Sequence, residues 1–212
     1  MKKTEYVSLM AGILFRPVWS FRAMKRYRKD IFFWIPFAAA LAVSLIYVIS
    51  LSLFHFPLSV MDIRKSNFLL EVLKIFSVVI SWDIAGYVMS SINDGEMTFT
   101  EFSCAAAYSL LPLVIVLPPM AALSHIMSAN EAGFFDSIMG LTVAWCVILM
   151  IVSLGILNSY SFKSTVKVLL LSLFCMAVMW FIAFVLYAMA SQMLGFFKSV
   201  YDEVFMLIDF GR

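Results

Sequence analysis

Few side chains in this chain could carry chemistry, and the clearest of them is a carboxylate inside an apolar run. Asp83 falls within Phe68–Ile92, with Tyr87 four and Ser90 seven residues further on, so helical geometry puts an acid, a phenol and a hydroxyl on one face. A charge in such a run is costly unless it pairs or reaches water. Two readings therefore stand: a proton or cation site facing the interior of a helix bundle, or a hydrogen bond to a neighbouring helix. No second acid or arginine sits deep in another apolar run to complete a relay, which weighs toward the hydrogen bond. Gly86 and Ser90 also form a pair of small residues four apart, the spacing that lets helices approach closely. Glu71 and Lys74, three apart at the start of the run, are expected to pair locally.

The remaining candidates give less. His55 and His125 each lie near the end of an apolar run with no second ligand at metal spacing, so no metal site and no cofactor is expected. No serine stands with a histidine or lysine in a recognised nucleophile motif, and no glycine-rich phosphate loop occurs. Catalytic residues are expected to be none. Cys104, Cys146 and Cys175 all fall in apolar runs, where cysteine behaves as a small hydrophobe.

The elements that hold these residues follow from composition. Of 212 residues 64% are hydrophobic and 13% charged, which excludes an ordinary soluble domain. Several apolar runs reach the roughly 18 to 25 residues needed to cross a bilayer. The fold class is all-α, a polytopic integral membrane protein with five transmembrane helices and amphipathic terminal helices. The spans are expected at about Ile31–His55, Phe68–Ile92, Phe102–Ile126, Asp136–Asn158 and Val166–Phe197. The organisation is then a basic interfacial segment over 1–30, a five-helix transmembrane domain over 31–197 and an amphipathic tail over 198–212.

Eight basic residues precede the first span, and no small-residue cleavage site follows the first apolar stretch, so the N-terminal segment is read as retained and cytoplasmic. With five spans the cytoplasmic segments carry ten basic residues against five elsewhere, which places the C-terminus outside. Pro17 is suited to open a short helix, and Val18–Lys29 mixes aromatic residues with Arg22, Lys25, Arg26, Arg28 and Lys29. These five cations are expected to contact lipid headgroups; a nucleic-acid partner is not expected.

Two features mark the middle of the chain. Asn93-Asp94-Gly95 is a turn signal, and Thr98 with Glu101 has capping-box spacing at a helix start. Pro112, Pro118 and Pro119 each lack a backbone donor, so the third span should be kinked or broken. The break suits either a packing kink or the wall of a transport cavity.

Several of these segments together resemble the bacterial branch of the Yip1 domain family. The resemblance is carried by Leu14-Phe15-Arg16-Pro17 with Phe21, by Gly95, Thr98, Phe99 and Glu101, by Ala107-Tyr108-Ser109-Leu110-Leu111-Pro112, and by Ser161-Phe162-Lys163. It implies a multi-span protein with a cytoplasmic N-terminus and no assigned catalysis, some members being associated with ABC-type transporters. The trafficking role of eukaryotic members is not carried over, because their long N-terminal regions have no counterpart in the 30 residues before the first span. The expected function is an integral membrane accessory or interaction protein of a bacterial cytoplasmic membrane, partnered by the bilayer and by another membrane protein such as a transporter. Small-residue faces at Gly140 with Ala144 and Ser191 with Gly195 would serve docking. The alternative is a small transporter or channel-forming subunit in which Asp83 and the proline-broken third span line a path. An intramembrane enzyme is the least supported reading.

Overall fold

The computed structural model describes residues 12–14, 16–26, 34–54 and 67–210, and these are helical apart from short connections. Helix α1 (Pro17–Arg26) opens on its proline, where the missing N–H would have no partner anyway. It buries Ser20, Phe21 and Met24 and turns Arg22 and Arg26 outward. Helices α2 (Trp34–Leu53) and α3 (Phe68–Ile92) follow. Asn67 caps α3 by accepting a hydrogen bond from the Leu69 amide, and the chain turns at Asn93, whose side-chain amide donates to the Met89 carbonyl.

The third apolar run is two helices, α4 (Phe99–Ser109) and α5 (Leu111–Ser124), parted at Leu110. Pro112 opens the second piece, so the expected break is present and is placed by that proline. Pro118 and Pro119 lie inside α5 without ending it. A turn of 3₁₀ helix (Ala129–Glu131) leads to α6 (Ala132–Leu157), and a tight connection leads to α7 (Phe162–Phe210). In that connection Ser159 has φ of 58°, the left-handed region, as does Asp94 in the earlier turn.

Residues 1–173 form one compact unit. In it α2 packs on α3, α4 and α5, while α6 packs on α1, α4 and α5. One core patch joins Phe54, Leu117, Met120, Ala121 and Phe135; the rings of Phe54 and Phe135 meet edge to face at 5.3 Å. Residues 174–212 form the second unit, and almost every described side chain in it is exposed, large apolar ones included.

Helices stand at all five places where spans are expected; the second has the expected limits Phe68–Ile92, and the last three start earlier. The third begins at Phe99 rather than Phe102, the fourth at Ala132 rather than Asp136, and α7 begins at Phe162. That last helix continues through Gly195 and the expected tail boundary at 197/198 without interruption. Among the described residues, three helical segments are long and apolar enough to cross a membrane: Phe99–Ser124, Ala132–Leu157 and Phe162–Tyr201. The apolar part of α2, Phe37–Leu53, is shorter, and α3 carries Glu71, Lys74 and Asp83. Length and composition therefore support three spans outright, against the five expected.

Candidate functional site

The structure divides Asp83, Tyr87 and Ser90 among three different partners. Asp83 is 1% exposed, and its Oδ2 accepts a hydrogen bond from the Ser103 hydroxyl on α4. Its Oδ1 and the indole Nε1 of Trp82 are buried without a hydrogen-bond partner among the described residues. One turn on, Tyr87 sets its ring edge to face against Phe99 at 5.6 Å. Ser90 donates to Asn158 Oδ1 at 3.0 Å. The shared face is real, but seven residues of helix rise roughly 10 Å, so Asp83 and Ser90 cannot hold one small ligand between them.

The small residue between them has a packing role. A Cβ at Gly86 would overlap the Phe102 ring, coming within 2.7 and 2.8 Å of its two Cε atoms. Its absence is what lets α3 and α4 approach closely enough for Ser103 to reach Asp83. A structural hydrogen bond at Asp83 has a direct consequence. Asp83→Asn keeps an acceptor for Ser103 and should leave unfolding in micelles within about 0.5 kcal/mol of the native chain, whereas Asp83→Leu strands that hydroxyl and should cost about 1 to 3 kcal/mol. A large loss in the Asn variant would show that the charge itself is required.

The densest polar arrangement lies where the connections after α3 and α6 meet, and it centres on a residue that the sequence did not single out. Asn158, 3% exposed, accepts through Oδ1 from the Ser90 hydroxyl and from the Met97 amide at 3.2 Å. Tyr160 sends its hydroxyl to the carbonyls of Ser90 and Asn93, at 2.9 Å from each. Gly95 closes the turn, its amide donating to the Ser90 carbonyl at 2.9 Å. No side chain fits there: a Cβ would lie 2.6 Å from Asn158 Oδ1 and 2.7 Å from the Tyr160 hydroxyl oxygen. Lys167 at the start of α7 donates to Asn93 Oδ1 at 3.2 Å.

Helix α1 is tied to the same place. Lys25 Nζ lies 2.8 Å from Glu96 Oε2 and donates to Ser159 Oγ, also at 2.8 Å. Of the five cations expected at headgroups, Lys25 thus holds two loops, Arg22 and Arg26 are exposed, and Arg28 and Lys29 lie outside the described residues. The three segments read as cytoplasmic, namely α1 and the connections after α3 and α6, are therefore joined to one another by side-chain bonds.

Residues that carry the family resemblance occupy structural positions. Pro17 starts α1, and Phe21 is fully buried beneath it. Thr98 and Glu101 form the expected capping box: Glu101 Oε2 accepts from the Thr98 amide at 2.7 Å, while the Glu101 amide donates to Thr98 Oγ1. Phe99 lies between Phe37 of α2 and Tyr87 of α3, with ring centroids 6.4 and 5.6 Å away. Pro112 is buried at the head of α5; Tyr108 is half-buried and Lys163 exposed. The described residues contain no group of three histidine, cysteine, aspartate or glutamate side chains able to hold a metal. His55 lies outside the described residues, and His125 is exposed at the end of α5. Glu71 accepts from Lys74 at 2.7 Å, the local pair expected at that spacing.

No family model, curated protein or solved structure matches the chain.

Proposed function

We propose that this chain is a five-span integral membrane accessory protein, resembling the bacterial branch of the Yip1 domain family, which acts by binding another membrane protein, a transporter of the ABC type in particular. The observation that carries this reading is the room left on its apolar helices. Gly140 and Ala144 are exposed on α6, and a Cβ at Gly140 would meet no atom within 4 Å. The same space surrounds Gly195 in the second unit, where Ser191 is also exposed. In lipid, small residues left open in this way favour close packing by another helix. The test is a photo-crosslinking side chain at Ala144 in living cells. A discrete adduct with a membrane polypeptide supports the reading, and lipid adducts alone would refute it.

The five-span arrangement predicts a cytoplasmic N-terminus and an extracytoplasmic C-terminus, from the basic-residue asymmetry. The bonds joining α1 to the connections after α3 and α6 support it, since five alternating spans put all three on the same side. A reporter active only in the cytoplasm should work when fused to the N-terminus and fail at the C-terminus. Activity at the C-terminus would sink the arrangement.

The alternative, a transporter or channel subunit, draws on the unpartnered Oδ1 of Asp83. Asp83→Asn separates the two readings in cells lacking the native protein: retained function at normal abundance supports the accessory role, and lost function at normal abundance and partner binding supports transport.

A further inference from the structure

An open cavity of about 600 Å³ lies between α1 and the end of α6. Arg22, Lys25 and Arg26 form one wall; Gly155, Ile156, Ser159 and Tyr160 form the other. None of these seven is acidic. Arg22 and Arg26, four residues apart on one face of α1, are both exposed, and neither has an acidic partner among the described residues. Lys25 directs two of its three N–H bonds to Glu96 and Ser159, which leaves one for a ligand. Because the Ser159 oxygen accepts from Lys25, its own hydrogen is available to donate. The hydroxyl of Tyr160 is committed to the carbonyls of Ser90 and Asn93, so this residue offers the cavity its ring and not a donor.

The cavity therefore gathers two guanidinium forks, an ammonium hydrogen and a hydroxyl around a space whose lining holds no carboxylate, Glu96 at its edge being paired to Lys25 and leaving the two arginines unbalanced among the described residues. Donors converging from several sides suit a tetrahedral oxyanion, and arginine forks match phosphate oxygens in pairs. Its position identifies the source of that phosphate. The cavity lies at the end of α6, one of the three helices able to cross a membrane. Beside the arginines, Val18 and Trp19 of α1 are 44% and 61% exposed, and exposed tryptophan is characteristic of the headgroup level. Ile156 and the Tyr160 ring add an apolar side against which a glycerol backbone can lie.

We infer that this cavity binds the phosphate of an anionic phospholipid headgroup, gripped by Arg22 and Arg26 and completed by Lys25 and Ser159. The inference rests on α6 being a membrane span, which the proposed function shares, but it does not depend on any protein partner. It replaces diffuse attraction of a basic segment to a charged surface with one site of defined stoichiometry.

The test uses the full-length protein purified in a neutral detergent and supplied with phosphatidylglycerol, with bound lipid counted by native mass spectrometry. The native chain should retain one phosphatidylglycerol in preference to phosphatidylcholine. R22Q/R26Q should bind it on the order of ten- to thirty-fold more weakly. K163Q/K198Q removes the same charge from residues that do not line the cavity and should bind as the native chain does. Ile156→Trp narrows the cavity on the side facing the arginines while keeping every cation and should weaken lipid binding, so the result does not hang on the arginine variant alone. Equal retention by R22Q/R26Q, or an equal loss in K163Q/K198Q, would overturn the site. Inorganic phosphate in large excess should leave the lipid in place; if it displaces the lipid, the cavity is a free-phosphate site and the headgroup assignment fails. A lost lipid preference with an intact adduct at Ala144 removes this site alone, whereas a retained lipid without the adduct removes the accessory reading alone.

Discussion

Asn158→Ala is expected to destabilise the folded chain by about 2 to 4 kcal/mol: it leaves two buried donors, the Ser90 hydroxyl and the Met97 amide, without an acceptor at about 1 to 3 kcal/mol each, partly offset because it also removes the Asn158 Nδ2, buried without a partner among the described residues. The loss is large because one carbonyl oxygen serves both. Ser90→Ala removes only one of the two donors and leaves Asn158 Oδ1 still bonded to Met97, so its cost should be about 1 kcal/mol. Tyr160→Phe should cost a similar amount, because the Ser90 carbonyl that it abandons keeps the Gly95 amide. Unfolding of the three purified variants in mixed micelles, followed by tryptophan fluorescence, gives the order directly. Three equal losses would show that Asn158 is not the centre of the arrangement. The consequence extends beyond stability, because the Asn158 connection also presents Ser159 to Lys25 and forms one wall of the cationic cavity.

What was legible in the sequence was whatever local chemistry decides. The C-terminal limit of α3 was readable because the Asn93-Asp94-Gly95 turn signal directly follows a largely apolar run. The capping box at Thr98 and Glu101 and the break ahead of Pro112 were readable for the same reason: each depends on residues within four positions of one another. The tail boundary expected at 197/198 has no helix break behind it, and the last helix runs on to Phe210. The number of spans was legible only in part, since five apolar runs are expected and three described helical segments are long and apolar enough to cross a membrane. The polar centre was not legible at all. Asn158 meets partners 61 and 68 residues away, and Lys25 meets Glu96 across 71 residues, distances at which no spacing rule applies. Asn-Ser-Tyr after a span reads as an ordinary turn; only the fold shows that its first residue is 3% exposed and accepts twice.

The contact at Gly86 sets two physical terms against each other. In an isolated helix alanine is favoured over glycine by about 1 kcal/mol, so Gly86→Ala should stabilise α3 if nothing stood against that position. Here the added methyl meets the Phe102 ring, and Phe102 is 2% exposed with Trp82 beside it at 6.4 Å, so the ring has little room to move, the cavity it borders being only about 10 Å³. Overpacking of this kind costs about 1 to 3 kcal/mol, and it should prevail, leaving Gly86→Ala less stable than the native chain. Phe102→Leu alone should also destabilise, by removing a buried ring. Combined, the two changes should cost less than their sum by about 0.5 to 3 kcal/mol, because the shorter side chain vacates the space that the methyl requires. Strict additivity, or a stabilising Gly86→Ala, would mean that α3 and α4 are not held at this separation. The same variants report on Asp83, which lies three residues before Gly86, while its donor Ser103 directly follows Phe102. Pushing the helices apart at Gly86 draws Ser103 away from the carboxylate, so the penalty of Asp83→Leu should shrink in the Gly86→Ala background, where the bond it removes is already weakened.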